Sequence, residues 1–248
     1  MWDYLEPVAR VLEPLTVVHR FDQRGCGGSE PSSEHTVARY VADVEALREH
    51  WRHDAWIVVG HSFGATLAFA YAVAHAERAL AMGYVSGVGV GDWHSLYRRE
   101  RLRRMTDEQQ KRMADLKARP ARSRVEEVEF RALSWFTDYV DPVRGWALAL
   151  ADARSDMEIN SEANAMLNAE INEWSRAEVV AQARELKMPC WFIHGAGDPR
   201  PSRTVADLAD AIPRSHLHVI KGAGHQPWCE RPDEFGKLLR RLVLSAAA

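Results

Sequence analysis

Apolar residues along this chain occur in two arrangements. Short continuous runs at residues 15–21, 55–59, 81–85, 190–193 and 217–220 each lead into a glycine-bearing turn: DQRGCGG, GHSFG, SGVGVG, HGAGD and KGAGH. Elsewhere apolar side chains recur at helical spacing, as in Val37, Val41, Val44 and Leu47. Runs of this length bounded by turns predict strands buried on both faces, and the periodic stretches predict helices over 37–52, 64–79, 203–211 and 233–244, each with one face on a sheet. Strand and helix alternate, which predicts an α/β fold with a mostly parallel sheet and helical crossovers. In such folds the loops at the carboxyl ends of the strands assemble sites.

The alternation stops at about Trp93. From residue 93 to 187 the pattern is nearly continuous helix, rich in charge and tryptophan, and predicts a helical lid inserted into a core formed by 1–92 and 188–248. The basic stretch Arg98, Arg99, Arg101, Arg103 and Arg104 opens this region. Leu102, Met105, Met113 and Leu116 mark an apolar helical stripe beside it, and Glu126, Glu127 and Glu129 follow, so the charges are read as a solvated helix face.

Composition narrows the picture. The chain has 248 residues, 46% of them hydrophobic, enough for one α/β domain with an insertion. A formal net charge of -3 gives the whole molecule no electrostatic reason to bind nucleic acid or an anionic membrane, and favours a small-molecule or short-peptide substrate. Cys26, Cys190 and Cys229 form neither a closed disulfide framework nor a C-x-x-C pair and are read as packing thiols of a reducing, cytoplasmic protein. The first residues, with Trp2, Asp3 and Glu6, do not have the pattern of a signal peptide, and no apolar stretch has membrane-spanning length. Nothing in the pattern speaks to oligomeric state.

The candidate chemistry centres on Gly60-His61-Ser62-Phe63-Gly64, a G-x-S-x-G pattern between a predicted strand and a predicted helix. That context marks a nucleophile elbow, in which a strained turn lifts a serine hydroxyl above the sheet while the glycines let backbone pass close by. A serine hydroxyl needs a base. Among 11 histidines, His225 in GAGH follows the last strand and lies at the same sheet end as Ser62. His61 is read as structural or pocket-lining, and His216 and His218 as surface or packing residues. A carboxylate must orient the base: Asp198 follows the fourth predicted strand, ahead of Asp22 and Asp92 as candidates. The chain order Ser62, Asp198, His225 is the order of an α/β-hydrolase triad. The N–H of Phe63, the residue after the nucleophile, is the expected oxyanion donor. No H-E-x-x-H, phosphate-binding P-loop or strand-borne G-x-G-x-x-G is present, so neither metal nor cofactor is expected.

Taken together, Asp22-Gln23-Arg24-Gly25, Gly60 to Gly64, Gly197-Asp198 and Gly222-Ala223-Gly224-His225 resemble the prolyl iminopeptidase-like α/β-hydrolases. The resemblance covers residues 2–92 and 188–244. It implies the α/β-hydrolase fold, the triad roles given above, a DQRG turn shaping the floor of the site, and release of an N-terminal residue, often proline, from small peptides. A general esterase or amidase of the same fold is the alternative, and a non-catalytic ligand binder a third reading. In that family an HGGPG-type oxyanion loop and the first strands precede the segment matching residues 2–7, so the N-terminal strands are expected to be missing here and Met1 to be a misplaced start or fragment boundary, or the chain a short paralogue. The family's amine-binding acidic residues have no match in the lid, where Glu170, Glu173 and Trp174 are candidates for the lining only.

Overall fold

A computed structural model describes residues 4–155 and 159–246. Trp2 and Asp3, at the head of the segment that carries the resemblance, lie outside the described residues, as do 156–158 of the inter-strand region and the final two alanines. In chain order the elements are α1 (Glu6–Leu12), α2 (Val37–His50), β1 (Trp56–His61), α3 (Phe63–Ala74) and β2 (Ala79–Val85). Helices α4 (His94–Arg103), α5 (Asp107–Lys117) and α6 (Arg124–Trp135), a 3-10 turn at Phe136–Asp138, and helices α7 (Pro142–Ala153), α8 (Ser161–Asn172) and α9 (Arg176–Glu185) follow. Then come β3 (Cys190–Gly195), α10 (Ser202–Ala209), β4 (Ser215–Ile220), α11 (Pro227–Glu230) and α12 (Pro232–Ser245).

The strands form one parallel sheet in the order β1-β2-β3-β4. Every residue of β3 is buried, as a continuous apolar run predicts for a central parallel strand. Successive side chains divide the core. Met82 and Tyr84 of β2, with Cys190 and Phe192 of β3, pack on the side of α2, α3 and α10, whereas Ala81, Val85, Trp191 and Ile193 pack against α1 and α12. In α12 the buried residues Phe235, Leu238, Leu239 and Leu242 follow the spacing of a single helix face. Met105, Leu116, Leu133, Phe136, Tyr139 and Ala149 form a separate small core among the helices between β2 and β3.

One expected strand does not form. Residues 17–23 run without regular structure, and Leu15, Val17 and Phe21 are 42%, 73% and 40% exposed. An apolar run favours extended backbone, but a strand exists only where a neighbour takes its amides and carbonyls. Among the described residues β1 pairs with β2 alone. The segment is held by side chains instead: His19 stacks on Trp51 with centroids 4.0 Å apart, and its Nε2 lies 2.9 Å from that of His53.

Two of the five arginines in the basic stretch share one carboxylate within the same region. Arg103 and Arg104 pair with Glu100, and Arg104 also donates to the Thr137 carbonyl at 2.8 Å. No helix among the described residues is long and apolar enough to cross a membrane. All three cysteines are free thiols.

Candidate active site

Ser62 joins β1 to α3 with φ 56° and ψ -120°, a conformation that L residues rarely adopt and that marks stored strain at a turn. Its amide is tied to the end of β2 through the Val85 carbonyl at 3.0 Å, and its hydroxyl does not cap the helix it precedes. The turn is tight enough that a Cβ on Gly60 would overlap the Gly64 carbonyl. Gly64 differs from the expectation, since a Cβ there would meet nothing within 4 Å. Close approach therefore requires glycine at the first position of the motif only. Phe63 is the first residue of α3, so its N–H is among those an α-helix leaves without an intrahelical acceptor.

His225 and Asp198 meet in a buried hydrogen bond, Nδ1 to Oδ2 at 2.7 Å. Burial alone would raise the Asp198 pKa, but His225, the Arg200 guanidinium and His194 hold it well below the usual carboxylate range. An ionised Asp198 accepts, so Nδ1 of His225 carries the proton and the neutral ring keeps its lone pair on Nε2. His61, next to Ser62, links the elbow to this pair: its Nε2 donates to the His225 carbonyl at 2.8 Å, and the two rings lie 4.6 Å apart. That bond leaves Nδ1 of His61 to accept from the Tyr4 hydroxyl at 3.3 Å. Burial, reinforced by His225, drives the His61 pKa well below its ordinary value and keeps the ring neutral. The competing candidates are engaged elsewhere. The Asp22 carboxylate takes the Gly28 amide, Asp92 takes the Ser95 amide, and His216 and His218 pack on the Trp191 ring.

Several residues around the pair carried no sequence signal. Asp198 Oδ1 accepts from the Arg200 backbone at 2.9 Å and from its Nη1 at 3.3 Å, and the same nitrogen reaches Asp138 Oδ1 at 2.9 Å. His194 donates from Nε2 to the Arg200 carbonyl at 3.0 Å. The backbone of the His225 turn is fixed twice: the His225 amide donates to the Asp138 carbonyl at 2.7 Å and the Gly224 amide to Glu230 Oε2 at 2.6 Å. Glu230 Oε1 accepts from Val140, so one carboxylate joins the turn to the helical region. Gly224 permits this approach, because a Cβ there would overlap the Asp138 carbonyl.

The DQRG turn faces α2, not the pair. Arg24 forks onto Asp43 at 2.7 and 2.5 Å, and the Gly25 carbonyl accepts from Asn160 at 2.9 Å. Glu170, a lining candidate from the sequence, caps α2 by accepting from the Val37 amide at 2.8 Å. Trp174 lines a cavity of about 320 Å³ with Thr66, Phe69, Tyr84, Trp93 and His94; Ser62, Asp198 and His225 are not part of its wall. Among the described residues no group of three or more His, Cys, Asp or Glu side chains is placed to hold a metal ion.

Comparison with known proteins agrees with this architecture. The chain is 45% identical over 65 residues to a probable proline iminopeptidase of Leptolyngbya boryana, a match that spans 25% of this chain and 20% of that protein. Its fold superposes on the crystal structure of a proline iminopeptidase from Mycobacterium smegmatis with a TM-score of 0.66 and 19% identity, covering 98% of this chain and 87% of the other. A meta-cleavage product hydrolase from Pseudomonas fluorescens IP01 superposes with a TM-score of 0.73 and 19% identity, covering 98% and 85%. A parallel sheet flanked by helices, a serine elbow after β1 and a match to the alpha/beta hydrolase family model over residues 1–238 together place the chain in that family.

Proposed function

We propose that the protein is a serine hydrolase that cleaves a small ester or amide through an acyl-enzyme, with Ser62 as nucleophile, His225 as general base and Asp198 as the group that orients it. The observation that carries this reading is the buried 2.7 Å bond between His225 and an ionised Asp198, tied through His61 to a serine at φ 56°. In the proposed reaction His225 Nε2 takes the Ser62 proton as Oγ attacks the substrate carbonyl, and the imidazolium then protonates the leaving group. The Phe63 N–H, at the positive end of α3, stabilises the oxyanion. Water repeats the sequence on the acyl-enzyme and frees the serine. The helices between β2 and β3 act as the lid, and no cofactor takes part.

The substrate class follows the sequence relatives: an N-terminal-residue aminopeptidase acting on short peptides, proline first. One observation favours a general esterase or amidase instead. The Glu170 carboxylate, which could have received a substrate ammonium, already holds the α2 N-terminus.

Fluorophosphonate labelling is the test. The chain should be labelled at Ser62, labelling should vanish in Ser62→Ala, and His225→Ala should slow it by about 100-fold or more. Labelling should also fall in acid, since a base that already carries a proton cannot take one from Ser62. Equal labelling of the wild type and Ser62→Ala would overturn the proposal. Proline and acetyl p-nitrophenyl substrates then separate the aminopeptidase from the esterase.

A further inference from the structure

Arg200 is a nearly buried cation with an acidic partner on each side. Its side chain is 13% exposed, and one nitrogen, Nη1, lies 2.9 Å from Asp138 and 3.3 Å from Asp198. Its guanidinium carbon stands 4.6 Å from the centre of the Tyr97 ring on α4. Asp138 belongs to the 3-10 turn of the helical region and Asp198 to the loop after β3, so Arg200 spans two parts of the chain distant in sequence. A guanidinium suits this position because it stays charged when buried and presents several donors in a fixed plane.

We propose that Arg200 is a positioning residue that joins the helical region to the His225–Asp198 pair, and that Asp138 sets how much of the Arg200 charge the pair feels. The inference rests on the hydrolase reading above for its consequence in catalysis, but the charge coupling stands on geometry alone. With both partners in place the cluster of Asp138, Arg200 and Asp198 carries one net negative charge beside the imidazole. Removing Arg200 leaves two carboxylates there and favours the imidazolium. Removing the Asp138 charge leaves Arg200 compensated by Asp198 alone and disfavours it. The two substitutions therefore act in opposite directions, which loss of packing does not produce.

Among the described residues, the ionisable groups around this cluster include His61 from β1, His194 from β3, Tyr97 from α4, Tyr139 beside Asp138 and Glu230 from α11. Arg104 donates to the carbonyls of Thr137 and Tyr139 on either side of Asp138, and the Arg101 charge acts on Tyr97. Burial is the largest cause that lowers the His61 and His194 pKa values, and Arg200 adds to it in both, so Arg200→Met also eases their protonation and the His225 signal must be read apart from theirs; burial raises the Tyr97 pKa. Glu230 is held by the Gly224 and Val140 amides, and neither substitution removes those donors.

The experiment uses the full chain and reads His225 by NMR, following its Cε1–H signal with pH and assigning it by its disappearance in His225→Gln. Compared with the wild type, the midpoint should rise by about one pH unit in Arg200→Met and fall by a comparable amount in Asp138→Asn. It should return close to the wild-type value in the double variant and in Arg200→Lys. The acidic limb of fluorophosphonate labelling should move with it in each case. Shifts of the same sign in both single variants, or no shift in either, would overturn the proposal. If Arg200→Met does not fold, Asp138→Asn and Arg200→Lys decide: an unchanged or raised midpoint in Asp138→Asn overturns it. Absence of Ser62-dependent labelling in the wild type would instead count against the hydrolase reading, while the NMR midpoints still test the coupling.

Discussion

At the scale of single residues, the elbow separates two glycines that look equivalent in the motif. Gly60 lies where a methyl group would overlap the Gly64 carbonyl and come within 2.6 Å of the Ala65 amide, whereas Gly64 faces open space in the first turn of α3. Gly60→Ala should destabilise the protein by at least about 2 kcal/mol, because backbone rather than a movable side chain must give way. Gly64→Ala should instead stabilise it by up to about 1 kcal/mol, since alanine loses less backbone entropy in a helix. Urea unfolding of the two variants measures both, and equal destabilisation would show that the elbow is not packed as described. Ser62 itself was legible from its neighbours, because an apolar run, a G-x-S-x-G turn and a helix beginning Ala65-Thr66-Leu67 are local features. Arg200 was not, since its role depends on Asp138, 62 positions away.

At the scale of elements, the inter-strand helices are fastened to the sheet layer at two places. At α8, Glu170 caps α2, and Asn160, the cap residue of α8 itself, donates to Gly25. Near the middle of their span, Asp138 and Val140 hold the His225 turn through a carbonyl and through Glu230. Helix α2 thus has two caps: its own Thr36 hydroxyl takes the Arg39 amide at 3.2 Å, and Glu170 takes Val37. Glu170→Ala should cost about 1 kcal/mol and speed amide exchange at Val37 while leaving the middle of α2 protected. Unchanged exchange at Val37 would mean that the contact does not fasten the helix in solution. That residues 93–187 are helical was legible in their pattern, but the separate helices were not distinguished there; in the structure α5 and α6 open on the capping boxes of Thr106 and Ser123. Which carboxylate binds a substrate and which caps a neighbour was not legible, since Glu170 serves a helix more than 100 residues earlier.

For the molecule as a whole, buried histidines set the response to mild acid. His61 and His194 are held neutral in the fold, chiefly by burial, while the unfolded chain takes up protons near pH 6.5. The unfolded state therefore binds more protons below that point. Stability should be full above about pH 7 and decline as pH falls, by about 1.4 kcal/mol per pH unit for each histidine. Asp198 has the opposite linkage: its depressed pKa contributes stability that is lost only below about pH 4, so the range from pH 7 to 5 reports the histidines. Replacing His61 with Gln should reduce the slope between pH 6 and 5 by about 1.4 kcal/mol per pH unit in urea titrations. A slope that the substitution leaves unchanged would show that His61 does not resist protonation.

What the sequence determined by itself is what local chemistry can specify: four of five strands, the helices between them, the serine elbow, and the loops that bring Asp198 and His225 together. Apolar period, turn glycines and caps act over a few residues, and burial on both faces leaves its mark directly in runs such as Cys190 to Ile193. What the tertiary structure decided depends on partners far along the chain. Residues 15–21 have the composition of a strand, yet no described neighbour supplies the ladder that would make them one. The charge around Asp198 was set in the same way, by packing Asp138 and Tyr97 of the inter-strand region against Arg200. An ion pair or a ladder is an interaction between two surfaces, and a one-dimensional pattern describes only one of them at a time.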